Sequence, residues 1–182
     1  SENTAVGYQS LYANTTGARN TSVGFQALKF STASDNTAVG RAALSNTSSG
    51  ANNTALGSRA GVEITTGASN VAVGTQSLAS NTTASNNTAV GYQAGYSNVT
   101  GTAFVAIGQG ALYSNTTASD NTAVGRNALY ANTTGTANSA FAGALSNNTT
   151  GNYNTGIGYQ ALRFNTTASQ NTAVGYQAGY SL

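Results

Sequence analysis

Catalysis needs positioned acids, bases, nucleophiles or metal ligands, and this chain of 182 residues holds few of them. It has no His and no Cys, and its only carboxylate side chains are those of Glu2, Asp35, Glu63 and Asp120. Without imidazole or thiolate there is no nitrogen or sulfur ligand set for zinc, and no disulfide framework. Asp35 and Asp120 each precede an Asn of a repeated phrase, yet five repeat units separate them. At about 4.8 Å per stacked unit that is about 24 Å, too far for a catalytic pair. A calcium-binding roll would carry Asp in every turn, whereas these turns carry Asn, Thr, Ser and Gly. The expectation is a protein with no catalytic residue, no metal and no cofactor.

The remaining charge is equally sparse. Arg19, Lys29, Arg41, Arg59, Arg126 and Arg163 set the net charge at +2, and they are scattered. No stripe follows a phosphate backbone, which argues against nucleic acid as a partner. No apolar run approaches the roughly 18 residues of a membrane span, so no insertion into a membrane is expected. The chain opens without Met or a signal-peptide pattern, and reads as a mature form or an excised segment.

Three polar groupings could still recognise something. Asn14, Asn81, Asn98, Asn115, Asn132, Asn148 and Asn165 each stand two residues before a Thr, the pattern of an N-glycosylation acceptor. Any turn rich in Asn and Thr produces that triplet, and such side chains also stabilise turns by bonding to the backbone. Tyrosines recur after a Gly (Tyr8, Tyr92, Tyr159, Tyr176) and after a Leu or Gly (Tyr12, Tyr96, Tyr113, Tyr130, Tyr180), as stacking platforms or as packing between chains. Thr16, Thr32, Thr66, Thr83, Thr100, Thr117, Thr134, Thr150 and Thr167 form a third series.

What positions these groups is a repeat. The phrase NTAVG, or a variant of it, ends at Gly7, Gly24, Gly40, Gly57, Gly74, Gly91, Gly108, Gly125, Ala142, Gly158 and Gly175, at spacings of 17, 16, 17, 17, 17, 17, 17, 17, 16 and 17. Its first column is Asn3, Asn20, Asn36, Asn53, Asn70, Asn87, Asn121, Asn138, Asn154 and Asn171, interrupted only at Phe104. Its fourth is Val6, Val23, Val39, Leu56, Val73, Val90, Ile107, Val124, Phe141, Ile157 and Val174. Two helices of about six residues would be too short to fit the unit, and Asn, Thr, Gly and Ser favour turns. Strands of about four to five residues between tight turns fit better. The predicted fold is all-β: one parallel β-solenoid domain over residues 1–182, eleven coils of about 17 residues.

Stacking puts like residues above one another, so the Asn column becomes a ladder of amides and the rod is roughly 50 Å long. Alternation along a strand separates the Ala of NTAVG from its Val. Either Ala faces a narrow interior with the later Ala/Ser and Leu columns, leaving an aliphatic ribbon outside, or the reverse holds. An outward ribbon would exceed the apolar patch a monomer tolerates and predicts self-association along that column. The first and last units are as regular as the rest, which suggests a chain that continues or copies that stack end to end.

The stretches NTAVGYQSLYANTTGARNTSVGFQAL and NTAVGYQAGY resemble the head repeats of trimeric autotransporter adhesins and related repeats of phage tail fibres, and the resemblance spans the chain. It implies a left-handed parallel β-roll, commonly trimeric, displayed on a cell or virion surface and engaged in attachment. The expected function is therefore a structural or adhesive extracellular fibre whose partner is itself, as trimer or end-to-end filament, with a surface glycan or receptor as a further partner. The alternatives are an ice-binding solenoid using the Thr series and a glycan-binding module.

Overall fold

The computed structural model describes residues 2–181. It is a parallel β-solenoid of eleven coils, each contributing one strand to an 11-stranded sheet in which strand order follows the chain. We number coils from the Asn column, so coil 1 begins at Asn3, coil 7 at Phe104 and coil 11 at Asn171. Stacking is in register: Thr4 pairs with Thr21 and Val6 with Val23, and the alignment survives the one-residue-shorter coils 2 and 9. Among the described residues no helix is long and apolar enough to cross a membrane.

Each strand is only three residues, shorter than predicted. The reason lies in the backbone. Coil 2 turns at Gly24 (φ 136°), Gln26 (57°), Leu28 (44°) and Asp35 (63°), and the other coils turn at corresponding places. A left-handed residue ends extended pairing, so a coil with several corners keeps one short strand. The Gly corner admits no side chain: a Cβ on Gly74 would sit 2.5 Å from the Gly91 carbonyl oxygen. Coil 9 escapes by being shorter at this point, and its Ala142 adopts φ 57° instead.

The Leu column is the less expected corner. Leu28, Leu44, Leu78, Leu112, Leu129, Leu145 and Leu162 are fully buried at φ between 44° and 53°. A left-handed Cβ costs roughly 1–2 kcal/mol, and burying a leucine returns about 1.5–3 kcal/mol, so the core outweighs the strain. Gly61 and Gly95 occupy the same column without that strain, and their missing volume is filled from elsewhere. A Cβ on Gly61 would meet Ile64 at 2.9 Å, and one on Gly95 would meet the Phe104 ring at 3.1 Å. The single break in the Asn column is thus a packing exchange, a ring replacing an amide where a leucine is absent.

The interior is narrow. Ala38, Ala55, Ala72, Ala89, Ala106, Ala123 and Ala140 of the strands face the second Ala column and the leucines, all fully or almost fully buried. Of the two orientations the alternation allowed, the chain has Ala inside and the aliphatic column outside. Gly156 stands in this Ala column because the shortened coil 9 brings Ala144 to 2.9 Å from where its Cβ would be.

Gly95→Leu and Phe104→Asn each break the exchange, and together they restore the repeat. In thermal and denaturant unfolding we expect each single replacement to destabilise and the pair to show a favourable coupling of about 1–3 kcal/mol; strictly additive effects would refute the exchange.

Candidate self-association face and the buried amide ladders

Two columns of each strand face outward, the Thr-type residue before the inward Ala and the aliphatic residue after it. Val6 (57% exposed), Leu56 (49%), Ile107 (39%), Ile157 (41%) and Val174 (66%) project from the sheet with Phe141, while Val23, Val39, Val73, Val90 and Val124 are half-buried between neighbours. Neither column contains a charged residue, so the face is an uninterrupted apolar ribbon edged by hydroxyls.

The first Asn column holds the rod together from within. The Asn36 Nδ2 donates to the Gly50 carbonyl of its own coil at 3.0 Å, and its Oδ1 accepts the backbone N–H of Asn53 in the next coil at 2.9 Å. Asn20, Asn53 and Asn138 repeat both contacts. One amide therefore closes a coil and joins it to the following one. The Phe104 N–H still donates to Asn87 Oδ1, at 3.2 Å, but its ring offers no acceptor to Asn121.

The second Asn column corrects the glycosylation expectation. Asn81, Asn98, Asn115, Asn132, Asn148 and Asn165 are fully buried, and Asn14 is half-buried. The Asn98 Nδ2 donates to the Gly101 carbonyl at 2.9 Å and to Asn81 Oδ1 at 2.6 Å, and Asn115 and Asn132 continue the ladder. Nδ2 is the atom a glycan would occupy, and in the folded coil it is enclosed and committed. At Asn14 the amide is committed within its own turn, donating to and accepting from Gly17. The acceptor triplet recurs because this Asn must reach the carbonyl three residues on while the following Thr residues face out. The ladder pauses at Ser31, Thr47 and Ile64 in coils 2 to 4. The buried Thr47 Oγ1, and the Oδ1 atoms of Asn148 and Asn165, have no hydrogen-bond partner.

The Thr series lies exposed along the turn edge, with Thr16 and Thr32 donating their hydroxyls to carbonyls of the next coil. Tyr96, Tyr113 and Tyr130 stack face to face at 5.2 and 5.0 Å, and Tyr8 with Phe25 and Tyr159 with Tyr176 stack more loosely at 5.5 and 6.2 Å. Burial, reinforced by the neighbouring Tyr130, pushes the Tyr113 hydroxyl above its ordinary range, keeping it a donor. Sequence reading missed one ion pair: Arg19 Nε lies 2.7 Å from Asp35 Oδ1, opposite charges one coil apart in one column. Asp120 shares that column with no such partner among the described residues. The sequence matches no protein-family model, and no curated protein or solved structure matches it.

Asn115→Ala removes hydrogen bonds to the Ala118 carbonyl and Asn98 Oδ1, and leaves buried partners unmet; a loss of about 3 kcal/mol is expected in chemical denaturation. Asn115→Asp would bury a carboxyl whose folded pKa is raised, so its penalty should be smallest below about pH 4 and grow as pH rises. A penalty independent of pH would contradict the burial. At Asp35 the sign is opposite. Hydrogen bonding from Arg19, with its charge, holds the carboxyl below the usual carboxylate range, so the small stabilisation is present above about pH 4 and lost as pH falls. Arg19→Gln should move the Asp35 carboxyl resonance to a higher titration midpoint in NMR, and an unmoved midpoint would dismiss the pair.

Proposed function

We propose that this chain is a subunit of an extracellular fibre or filament, on a cell or virion surface, built by self-association of solenoid rods. The outward aliphatic column carries this reading. A ribbon of Val, Leu, Ile and Phe along roughly 50 Å of rod is larger than the apolar patches soluble monomers ordinarily expose, and a second copy supplies a matching surface. Three further features agree: the scarcity of catalytic side chains, the rigidity given by two amide ladders, and the resemblance of NTAVGYQ-type units to adhesin-head and tail-fibre repeats.

A second reading rests on a different property of the same face. Its outward Thr and Val ranks are set by one sheet, about 6.5–7 Å apart across the strand and about 4.8 Å along the rod. A flat, regular array of methyls and hydroxyls is what binding to ice requires, and this array is more regular than the Thr series at the turn.

Light scattering and negative-stain microscopy separate the two. For the fibre we expect the native chain at a multiple of its 18.1 kDa mass, as trimers or filaments, and Val73→Glu/Val90→Glu at single-chain mass with an unchanged circular-dichroism spectrum. A native chain that stays at single-chain mass at tens of micromolar overturns self-association. Thermal hysteresis in that monomer, abolished by the same two replacements, would establish the ice-binding reading in its place.

A further inference from the structure

Two irregularities of the repeat open hollows on one side of the rod. In coil 7 the column that holds Gln93 in coil 6 has Gly110, with the Asn127 amide against it, and beside them lies a hollow of about 240 Å³ lined by Tyr92, Gln93, Tyr113, Asn127 and Tyr130 among others. In coil 9 the missing residue shortens the chain to Ala142–Gly143–Ala144 where coil 8 has Gly125–Arg126–Asn127–Ala128. That notch is a hollow of about 170 Å³ lined by Arg126, Asn127, Tyr159, Gln160 and Arg163 among others. Asn127 lines both, so they form one discontinuous groove across coils 6 to 10.

Their chemistry is complementary. Where two glutamines of this column fall in successive coils their amides pair, Gln26 donating to Gln9 and Gln93 to Gln76. Gly110 follows Gln93 in the column and leaves Gln93 Oε1 without a donor from the next coil. Gln177 donates to Gln160 Oε1, but Gly143 offers Gln160 Nε2 no acceptor, so that amide donor is also free toward the notch. The first hollow adds the Tyr92 ring, exposed and stacked on no neighbour among the described residues, beside the edges of the stacked Tyr113 and Tyr130. The second adds two guanidinium groups. Arg163 is held in place, donating to the Tyr180 hydroxyl at 3.3 Å and lying 5.3 Å from the centre of the Phe164 ring. No side-chain carboxylate follows Asp120 in the chain, and the only ion pair among the described residues is Arg19 with Asp35, so neither arginine pairs with a carboxylate among the described residues.

We infer that this groove binds an acidic oligosaccharide, with a sugar ring against the unstacked Tyr92 ring and a carboxylate or sulfate of a neighbouring residue between Arg126 and Arg163. Sugar C–H faces pack on aromatic rings and hydroxyls pair with amides, while guanidinium groups take planar or tetrahedral oxyanions through paired N–H donors. The outward aliphatic column is elsewhere on the coil, so the inference does not rest on self-association.

The test is calorimetric titration with three tetrasaccharides: carboxylated tetragalacturonate, a sulfated carrageenan fragment, and neutral maltotetraose. Binding of either acidic probe at least tenfold tighter than maltotetraose is expected, and which acidic probe binds identifies the anion. Arg126→Gln and Arg163→Gln should each weaken it at least tenfold, while Arg41→Gln, an equal loss of charge in coil 3, should leave it unchanged. Circular dichroism checks that each variant folds. Absence of binding by both acidic probes, equal binding of maltotetraose, or an equal effect of Arg41→Gln would each overturn the site. Val73→Glu/Val90→Glu should bind as the native chain does, so loss of assembly and loss of binding are read separately.

Discussion

The interaction on which the rest depends is a backbone carbonyl that receives two buried amides. In coil 6 it belongs to Gly101, which accepts from Asn87 and Asn98; in coil 8 to Gly135, from Asn121 and Asn132; in coil 9 to Gly151, from Asn138 and Asn148. A carbonyl has two lone pairs, and one pointing into a dry interior must satisfy them from inside. The two asparagines do so from the start and the middle of the coil, tying both to its end. The coil is thereby closed at a fixed circumference, leaving room for little more than Ala and Leu. A wide apolar core is unnecessary because polar groups, nearly all of them paired, hold the centre.

Given that clamp, the chain tolerates change wherever the clamp and strand are spared. Coil 2 loses its residue in the Thr-rich turn and coil 9 near the Gly corner, and in both the strand stays in register with its neighbours. Where the Leu column has a glycine, replacing an amide supplies the missing volume, whereas Ser31 and Thr47 replace one beside Leu28 and Leu44. Ile64 and Phe104 take the place of clamp asparagines, and each lies against a glycine of the Leu column. Polar pairing and apolar packing are two solutions to one geometric demand.

Much of this was legible in the sequence. The period, the parallel stacking, the amide ladder of the first Asn column and the small interior followed from column identity alone. Which side of the strand faced in did not, because Ala and Val are both apolar and alternation is symmetric. Asn98 and Asn115 read as surface acceptors because their triplets are those of an exposed turn; the left-handed corners that flank them, Gly95 and Ala103 in coil 6 and Leu112 and Asp120 in coil 7, include conformations that Ala and Leu do not announce. The mixture of Leu and Gly in one column was the available signal, since a shared positive φ is the property those residues can have in common there. The groove was hidden for another reason: it arises where the repeat departs from itself, and column averaging discards departures.

Contacts between strands join only successive coils, so the junctions of the rod are arranged in series. A load applied along the axis is then transmitted whole through every junction, and yield begins at the weakest one. Between coils 7 and 8 the Phe104 ring leaves the Asn121 amide without the side-chain acceptor that Asn36 supplies to Asn53. Along the first ladder that junction carries one link fewer than the junctions on either side of it, which the Asn87 and Asn121 acceptors complete.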